Sequence, residues 1–331
     1  MNQFRQRDGL HMIGWETKAY GPVPSRRLGQ SLGINHVPPK VCTYSCVYCQ
    51  LGRTIRMQSE RREFYPHDEI LRDVEEQIDK ARRKNEQINY LTFVPDGEPT
   101  LDVNLGREIE LLKPLGIRIA VISNASLMWR EEVRRDLMAA DWVSLKVDAV
   151  TESLWRRVNR PHSELKHEIV LEGMREFSDV FNGELATETM LVKDLNDGGG
   201  EAERIAKFLM DLKPDKAYIA IPTRPPAERW VKPADEEAVN RAYQIFRGKL
   251  RNVEYLIGYE GDEFAFTGNV EDDLLSITSV HPMREEGVNT LLSKAGSGWE
   301  TVDRLIKENR LVEIEYLGKK FYMRKLPSRA S

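Results

Sequence analysis

The sequence predicts an α/β protein with a parallel β-sheet. Short apolar stretches rich in β-branched residues alternate along the chain with longer charged stretches that have helical spacing. This alternation is typical of repeated strand–helix–strand units, whose strands run parallel. Six such strands suit either a doubly wound sheet or a partial barrel, and the spacing alone leaves both architectures open.

The individual elements follow in chain order. Six apolar stretches are predicted as strands: residues 31–37, 89–95, 117–124, 141–149, 185–192 and 216–223. Four charged stretches are predicted as helices: residues 68–87, 131–140, 167–180 and 201–212. In the first of these, Ile70, Val74 and Ile78 recur at four-residue intervals and mark one apolar face. The three glycines at 198–200 are predicted as a flexible loop.

The character of the chain changes near residue 270. Three short helical stretches are followed by two strand-like stretches, with predicted turns at Gly296–Ser297–Gly298 and at Leu317–Gly318–Lys319. Helix–turn–helix followed by a β-hairpin is the plan of a winged helix. We therefore predict three regions: an N-terminal extension over residues 1–20, a main α/β domain over 21–268 and a winged-helix-like domain over 270–331.

The last sixteen residues carry no acidic side chain. Their five cations are Lys319, Lys320, Arg324, Lys325 and Arg329. Three aromatic residues lie among them: Tyr316, Phe321 and Tyr322. A basic wing of this kind suits contacts with the phosphates and bases of RNA or DNA. The alternative is a solvated tail on a domain that docks protein.

Composition and charge exclude several classes of protein. Apolar residues make up 40% of the 331 positions and aromatic residues 8%, which is ordinary for a globular protein and unlike a disordered one. The formal net charge of −4 gives no overall basic signature of nucleic-acid binding. No stretch approaches the roughly 20 apolar residues of a membrane span, and the N-terminal residues lack the apolar core of a signal peptide. Together with an odd number of cysteines, this predicts a cytoplasmic protein.

All three cysteines lie within eight positions, in the stretch VCTYSCVYCQLG after the first predicted strand. Cys42, Cys46 and Cys49 have the spacing C-x3-C-x2-C, one thiolate short of the four that complete a structural zinc site or a four-cysteine iron–sulfur cluster. Three thiolates on a [4Fe–4S] cluster leave one iron open for a substrate or cofactor. The alternative is zinc with His36 as fourth ligand, although zinc fingers and ribbons pair C-x2-C knuckles.

Polar residues also follow the other predicted strands. In chain order they are Asp96, Gly97 and Glu98 after the second strand, Ser123 and Asn124 at the end of the third, and Lys146 and Asp148 late in the fourth. The carboxyl ends of parallel strands meet at one edge of a sheet, where α/β folds bind their ligands. We therefore expect these residues to converge on the same face as the cysteines.

The cysteine spacing and the order of elements resemble those of the radical S-adenosylmethionine (radical SAM) superfamily. Its members carry C-x3-C-x2-C after the first strand of a (βα)6 chain, as this sequence does at Cys42, Cys46 and Cys49. The resemblance implies a partial (βα)6 TIM-like barrel over residues 21–268, including a C-terminal extension. It also implies a [4Fe–4S] cluster on the three cysteines and S-adenosylmethionine (SAM) as cofactors. The implied reaction is reductive cleavage of SAM to a 5′-deoxyadenosyl radical, which abstracts hydrogen from a substrate.

The resemblance also assigns residues to SAM. Tyr48, directly before the last cysteine, lies where the superfamily commonly places an aromatic side chain near the adenine. The turn Asp96–Gly97–Glu98–Pro99 resembles the Gly-Gly-Glu-like turn that binds the amino group of SAM, with Asp96 in place of the first glycine. Four polar residues occupy the places from which the superfamily reaches the ribose and carboxylate of SAM: Ser123, Asn124, Lys146 and Asp148.

Further stretches are similar to the wyosine-synthetase-like group of this superfamily. They are GPVPSRRLGQSLGIN (21–35), CTYSCVYCQLGRT (42–54), PDGEPTLD (95–102), SLKVDA (144–149), VNRPH (158–162) and IPTRPPAE (221–228). The synthetase that builds the wyosine base of tRNA carries additional N-terminal cysteines for a second cluster, and this chain has no fourth cysteine.

Candidate substrate residues lie at the open end of the predicted barrel. Four arginines suit the binding of a phosphate or carboxylate: Arg26, Arg27, Arg160 and Arg224. Glu260 belongs to an acidic edge, and surface ion pairs are the alternative for the arginines. No residue is assigned as a catalytic acid or base.

Three hypotheses for the function stay open. The first is a radical SAM enzyme acting on RNA, including tRNA, with the winged helix recruiting the substrate. The second is a radical SAM enzyme acting on a protein, a peptide or a small molecule, as activases do when they install a glycyl radical. The third is a non-catalytic metal-binding regulator whose winged helix reads DNA. For the enzyme, the resemblance implies an external electron donor of the flavodoxin or ferredoxin type and no membrane partner.

Overall fold

The computed structural model describes residues 17–258 and 264–325. Its main sheet has eight strands: β1 (Ala19–Ser25), β2 (Gly29–Ile34), β3 (Tyr90–Phe93), β4 (Arg118–Ser123), β5 (Trp142–Lys146), β6 (Glu184–Met190), β7 (Lys216–Ala220) and β8 (Val253–Leu256). The strands pair in chain order, and every pairing is parallel except β1 with β2. A doubly wound sheet reverses its strand order at a switch point. The sequential order therefore identifies the partial barrel and excludes the doubly wound alternative.

Seven helices alternate with the strands of this sheet. They are α1 (His67–Arg83), α2 (Leu105–Leu112), α3 (Glu131–Leu137), α4 (Glu152–Val158), α5 (His167–Ser178), α6 (Gly199–Leu212) and α7 (Glu236–Arg247). The four predicted helices are present as α1, α3, α5 and α6. The predicted loop at 198–200 was wrong, because Gly199 and Gly200 form the first turn of α6. Within the described residues, no helix combines the length and the apolar character needed to cross a membrane.

The prediction of six strands missed the two edges of the sheet. The edge strand β1 contains Pro22 and Pro24, which cannot donate hydrogen bonds to a neighbouring strand. Proline is tolerated on an edge strand, but its presence argues against a strand when only the sequence is considered. The opposite edge strand, β8, has only four residues, and its central Glu254 and Tyr255 are exposed. Both edges therefore lack the apolar run that marked the inner strands.

Side chains alternate between the two faces of the sheet, as in any β-strand. On the outer face, apolar residues pack against the helices, among them Leu91, Ile119, Val143, Leu185 and Ile219. On the inner face, Tyr90 and Trp142 lie at the start of β3 and β5 and Tyr218 lies in the middle of β7, and all three are buried in one cluster that fills the half barrel. Nearer the carboxyl ends the inward positions include Lys146 and Glu188. The barrel therefore has an aromatic floor and opens as a cleft at the carboxyl ends.

The C-terminal part contains the predicted three helices and hairpin. Its elements are α8 (Val270–Val280), β9 (Met283–Arg284), α9 (Glu285–Ala295), α10 (Glu300–Lys307), β10 (Leu311–Tyr316) and β11 (Lys319–Arg324). The three strands form an antiparallel sheet in the order β9-β11-β10. The hairpin turn has φ of 50° at Leu317 and 69° at Gly318, and positive φ at both positions is typical of a two-residue type I′ turn. The winged-helix assignment and the three region boundaries stay predictions.

The C-terminal part packs directly against the barrel. One apolar cluster joins Tyr20 and Val23 of β1 to residues of α8, α9, α10 and β11, and Val94 at the end of β3 packs against it. Phe321 and Tyr322 are each 1% exposed. The prediction that these two rings contact nucleic-acid bases was therefore wrong, because they are part of the core.

The positive charge of the predicted wing is partly neutralised by acidic residues that precede it. Lys319 faces Glu286 at 3.9 Å, and Lys320 pairs with Glu313 at 3.2 Å. The third aromatic residue, Tyr316, donates its hydroxyl to the carbonyl of Pro222 at 3.1 Å, at the end of the barrel strand β7. Arg329 lies outside the described residues. The wing thus offers fewer free cations than its sequence indicated.

Candidate functional site

A cleft of about 290 Å³ lies inside the half barrel at the carboxyl ends of the strands, and we call it the central cleft. Its wall includes all three cysteines, Cys42, Cys46 and Cys49. Nine other residues singled out from the sequence also line it: Arg26, Arg27, Tyr48, Gly97, Glu98, Ser123, Asn124, Lys146 and Arg224. The polar strand ends therefore do converge on the face that carries the cysteines.

The cysteines lie in a loop that is supported from behind by the end of α4. Two turns shape the loop: the Cys49 amide donates to the carbonyl of Cys46, and the Gly52 amide donates to that of Cys49, both at 3.1 Å. Val47 is fully buried, and its amide donates to the carbonyl of Val158 at 2.9 Å. These bonds fix the backbone of the loop while its half-buried thiols line the cleft.

Two asparagine side chains hold the sulfurs in place. Asn124 Nδ2 donates to Cys42 Sγ at 3.4 Å and to Thr43 Oγ1 at 2.8 Å. Asn159 Nδ2 donates to Cys46 Sγ at 3.5 Å and to Asp148 Oδ2 at 2.7 Å. Amide donors to sulfur are a common outer shell of metal-bound cysteine, where they orient the ligand and tune the redox potential of a cluster.

The chemistry of the thiols fits a group with a high positive charge. Burial raises the pKa of Cys46 to about 12 and also raises the pKa of Cys42 and Cys49. The negative charges of Glu98 and Asp148 act in the same direction on Cys42 and Cys46, respectively. Three thiolates at this site therefore need a strong positive centre between them. A set of three sulfur ligands suits an iron–sulfur cluster.

The geometry does not support the zinc alternative. His36 is fully buried, its Nε2 lies 3.1 Å from the carbonyl of Pro99, and burial lowers its pKa to about 4. Among the residues that the structure describes, no three His, Cys, Asp or Glu side chains are grouped to hold a single metal ion. A tetrahedral zinc needs its ligands about 2 Å from one point. The alternative in which His36 is the fourth ligand of a zinc ion therefore finds no support among the described residues.

The turn Asp96–Gly97–Glu98 is bonded to the backbone just before the first cysteine. The Lys40 amide donates to the carbonyl of Asp96 at 2.6 Å, and the Glu98 amide donates to that of Val41 at 3.1 Å. A Cβ atom at Gly97 would lie 1.9 Å from the Val41 carbonyl oxygen. Only glycine permits this close approach, which ties the turn to the cysteine loop.

We expect Gly97→Ala to separate the turn from the cysteine loop. The added methyl group meets the backbone of Val41, which cannot move without displacing Cys42, so the free energy of unfolding should fall by about 1–3 kcal/mol. Urea unfolding measures this loss, and the iron content after reconstitution measures the damage to the loop. Gly200→Ala is the matched control, because its nearest neighbour is the flexible end of Arg204 at 3.5 Å. Equal stability of Gly97→Ala and the wild type would contradict this account of the turn.

Glu98 is buried, and its carboxylate accepts four hydrogen bonds. The backbone amide and hydroxyl of Thr100 and the hydroxyl of Ser123 donate to Oε1 at 3.1, 2.6 and 2.7 Å, and the amide of Asn124 donates to Oε2 at 2.8 Å. Burial raises the pKa of Glu98, and these donors oppose that shift. Glu98 thus caps the short turn at Pro99–Leu101 and also contributes a carboxylate to the central cleft.

Asp96 is buried but does not line the central cleft. Its backbone amide donates to Asn35 Oδ1 at 3.2 Å, whereas both of its carboxylate oxygens lack a hydrogen-bond partner among the described residues. Burial raises the pKa of Asp96 well above its usual range, and the positive charges of Arg324 and Lys40 oppose this shift. The structure therefore places the departure from the Gly-Gly-Glu pattern behind the turn, on the side of the C-terminal part.

Tyr48 and Asp148 form a pair on one wall of the cleft. The Tyr48 hydroxyl donates to Asp148, and the Lys146 ammonium lies 5.2 Å from the centre of the Tyr48 ring. Asp148 does not line the cleft, because it turns back to accept bonds from Tyr48, Asn159 and the amide of Met190. The structure thus gives Asp148 a position behind Tyr48 and not in the cleft itself.

Glu188, which was not predicted from the sequence, lies in the cleft at the carboxyl end of β6. Its carboxylate pairs with Lys146 on one side and with Arg27 on the other. Lys146 and Glu188 are direct neighbours in the register of β5 and β6. The signal was present in the predicted strand 185–192, where Glu188 has the same parity as the inward-facing Ala186.

Two of the predicted substrate arginines are held at the rim of the cleft by groups that the sequence did not indicate. Arg26 donates to the carbonyl of Leu256 at 3.1 Å. Arg224 donates to Gln50 Oε1 at 2.9 Å and to the ring of His281, which follows α8. Arg160 lies outside the central cleft and pairs with Glu228. Glu260 lies outside the described residues.

Comparisons with known proteins agree on the family. Residues 37–209 match the model of the radical SAM superfamily. The UPF0026 protein MJ1312 of Methanocaldococcus jannaschii is 50% identical over 315 residues, which cover 95% of this chain and 98% of that protein. The UPF0026 protein slr1464 of Synechocystis sp. is 35% identical over 208 residues, which cover 62% of this chain and 76% of that protein.

Structural similarity is confined to the fold. The crystal structure of a radical SAM methyltransferase from Sphaerobacter thermophilus matches with a TM-score of 0.54 at 16% sequence identity. The match covers 69% of this chain and 66% of that protein. At this level of identity it supports the partial barrel and carries no information on substrate.

Proposed function

The chain belongs to the radical SAM superfamily, and from this membership we propose that it cleaves SAM reductively and abstracts hydrogen from a substrate that carries an anionic group. It is a radical SAM enzyme whose cofactors are a [4Fe–4S] cluster and SAM, and enzymes of this superfamily typically need an external electron donor. The observation that carries the proposal is the central cleft, which brings the three cysteines together with Glu98 and Asn124.

The chain's own residues suit the binding of both cofactors. Cys42, Cys46 and Cys49 would hold three irons of the cluster and leave the fourth open. When bound, the cluster supplies the electron that cleaves the sulfonium S–C5′ bond of SAM, which yields methionine and a 5′-deoxyadenosyl radical. Glu98 would accept hydrogen bonds from the amino group of SAM. Tyr48 would lie against the adenine of SAM, with the tyrosine ring fixed by the hydrogen bond to Asp148. Ser123 would keep the Glu98 carboxylate in position.

Two features of the cleft suit radical chemistry on a charged substrate. The aromatic floor of Tyr90, Trp142 and Tyr218 closes the barrel below the cleft and limits the entry of water. Four cations line the cleft, against the two carboxylates Glu98 and Glu188: Arg26, Arg27, Lys146 and Arg224. This excess of positive charge favours a phosphate or carboxylate on the substrate.

The substrate hypotheses differ in their support. The burial of Phe321 and Tyr322 removes the stacking surface on which RNA recruitment by the wing depended, so we propose that the substrate is recognised mainly at the cleft. A phosphorylated small molecule, an RNA nucleotide and an acidic peptide all remain compatible with the cations there. A DNA-reading regulator without catalysis loses support for the same reason, and it gives the Glu98 carboxylate no ligand in the central cleft. The wyosine-synthetase-like group stays a resemblance.

The test is anaerobic reconstitution with iron and sulfide, followed by reduction with dithionite in the presence of SAM. Iron content, the EPR spectrum and 5′-deoxyadenosine release are measured on the same sample. We expect about four irons per chain and 5′-deoxyadenosine that depends on SAM and on reduction. One zinc per chain without 5′-deoxyadenosine would overturn the proposal. Fractions of RNA, peptides and small phosphorylated metabolites can then be compared for faster release and for transfer of substrate deuterium into 5′-deoxyadenosine.

A further inference from the structure

A cationic surface lies on the outer side of the cysteine loop, away from the central cleft. Two shallow clefts form it, and they share Arg156 and Arg160. Within the described residues, their lining contains one carboxylate, Asp194, and five cations: Arg53, Arg156, Arg157, Arg160 and Lys193. We call these five cations, together with Trp230 and Lys232 at the edge, the outer cationic face.

The outer cationic face has an excess of positive charge. Its six cations stand against five carboxylates: Glu152, Asp194, Asp197, Glu228 and Asp235. The Glu228 side chain is only 7% exposed and lies beneath the two arginines that it bridges, Arg53 and Arg160, whose side chains are 71% and 39% exposed. The excess is largest in the lining of the two clefts, which has five cations against the one carboxylate of Asp194, on a chain whose formal net charge is −4.

An exposed tryptophan lies at the edge of this face. Trp230 is 52% exposed, an unusual degree of exposure for so large an apolar side chain. Its chain neighbour Val231 is buried and packs against Val47 of the cysteine loop. An exposed tryptophan ringed by arginines is the kind of residue that becomes the energetic centre of a protein–protein interface.

The outer cationic face is joined directly to the loop that carries the cysteines. The Glu228 amide donates to the carbonyl of Val47 at 3.1 Å. The Ser45 amide lies 3.0 and 3.1 Å from the carbonyls of Asn159 and Arg160. The residues that present the cations thus contact the backbone between Cys42 and Cys49 from outside, while the thiols line the central cleft on the other side.

We propose that the outer cationic face is the docking site for an acidic one-electron carrier protein of the flavodoxin or ferredoxin type. The proposal rests on the function proposed above, in which the cluster must be reduced before SAM is cleaved. In this step the carrier loses one electron, the cluster gains one, and no bond is made or broken. Charge complementarity speeds the encounter with an acidic partner, and the interface can be small because the carrier must leave again.

The position of the face favours a carrier over RNA. None of the residues that line the two clefts of the outer cationic face also lines the central cleft. Binding of an RNA substrate to this face would therefore not bring its reacting atom into the central cleft. An electron carrier does not have to enter the central cleft, because it has only to approach the cysteines. The outer cationic face covers the loop that carries them. RNA binding is therefore the competing outcome of the test.

The test measures carrier binding and carrier-driven reduction separately. Reconstituted holoenzyme is titrated anaerobically with a flavodoxin to obtain the Kd, and stopped-flow absorbance follows cluster reduction by flavodoxin hydroquinone or by dithionite. We expect Arg157→Glu and Trp230→Ala each to raise the Kd and slow reduction by flavodoxin about 5–20-fold, with added salt weakening the wild-type complex. Reduction by dithionite should stay within about twofold of the wild type, because dithionite needs no docking surface.

Arg135→Glu is the matched control, since it makes the same charge change on α3, where the side chain is 72% exposed. An unchanged Kd for flavodoxin in both Arg157→Glu and Trp230→Ala would overturn the proposal. So would a loss of affinity for a single-stranded RNA oligonucleotide with flavodoxin binding intact, because the face would then be an RNA surface. A wild type that is reduced by dithionite but cleaves no SAM would overturn the proposed function instead, and the Kd values would still decide the docking site.

Discussion

Cys46→Ala should lose both its iron and its 5′-deoxyadenosine release. The chain holds three cysteines in total, so no spare thiol can replace the missing ligand. A [4Fe–4S] cluster held by two thiolates is not retained through desalting, because cluster binding depends on deprotonated ligands that only the bound iron stabilises. We expect iron to fall from about four to below about one per chain, and 5′-deoxyadenosine release to fall at least about 100-fold.

Ser45→Ala is the matched control for this loss. Ser45 belongs to the same loop, but its hydroxyl only accepts a bond from the Thr54 amide at 3.3 Å, and it does not line the central cleft. Iron content and 5′-deoxyadenosine release should therefore match the wild type. If Cys46→Ala instead kept four irons and cleaved SAM, the assignment of this cysteine as a ligand would be wrong. Cys42→Ala and Cys49→Ala should behave as Cys46→Ala does, because the three ligands act as one unit.

Much of this fold could be predicted, because each inner strand has an apolar sequence that identifies it as a strand. A parallel strand covered on one face by helices and on the other by the aromatic floor needs apolar residues at most positions, and stretches such as IRIAVISN show them. The order of the strands could not be predicted in this way, because apolar periodicity says nothing of which strands pair. Resemblance to a known family selected the partial barrel, and the sequential pairing from β1 to β8 confirms it.

The candidate site was predictable to the extent that it follows from strand ends. Lys146 and Asn124 reach the cleft because they lie at, or directly after, the carboxyl end of a parallel strand, whereas Glu98 reaches it through the turn that is bonded to Val41. Two other polar residues do not follow that rule. Asp148 lies two residues beyond β5, far enough for the chain to turn the carboxylate back toward Tyr48. Arg160 follows α4 and faces Glu228 outside the cleft, a contact between distant parts of the chain that no local pattern encodes.

In the C-terminal part, too, the local sequence predicted the elements but not the contacts between distant parts of the chain. Its element order was predictable from turns and spacing, but the burial of Tyr322 depends on the apolar cluster to which Tyr20 and Val23 of β1 contribute. Alternation along a strand indicates that one face is covered, and it does not say by what. The contacts of His281 with Arg224 and of Tyr316 with Pro222 likewise bring the C-terminal part to the rim of the cleft. That part therefore contributes to the shape of the site as well as to the surface.

Glu98→Gln should reduce the affinity for SAM without reducing the iron content. The glutamine has the size of the glutamate, but its amide nitrogen cannot accept a hydrogen bond. The substitution also removes the negative charge that we propose to bind the amino group of SAM. A hydrogen bond to a charged group contributes about 1.5–3 kcal/mol, so the Kd for SAM should rise roughly 10–150-fold. Equilibrium dialysis of the reconstituted, unreduced enzyme measures this Kd without relying on turnover.

The same substitution should have a small net effect on stability, because two terms oppose each other. It relieves the burial cost that raises the pKa of Glu98, and it leaves one of the donors from Thr100, Ser123 or Asn124 without an acceptor. Thr100→Val is the control, since it removes one donor to the carboxylate and keeps the charge. Glu98 is connected to the cysteines through one residue, Asn124, whose backbone amide donates to Glu98 and whose side chain donates to Cys42. Loss of iron together with loss of SAM binding would therefore show that Glu98 holds the cysteine loop, whereas loss of SAM binding alone assigns it to the cofactor.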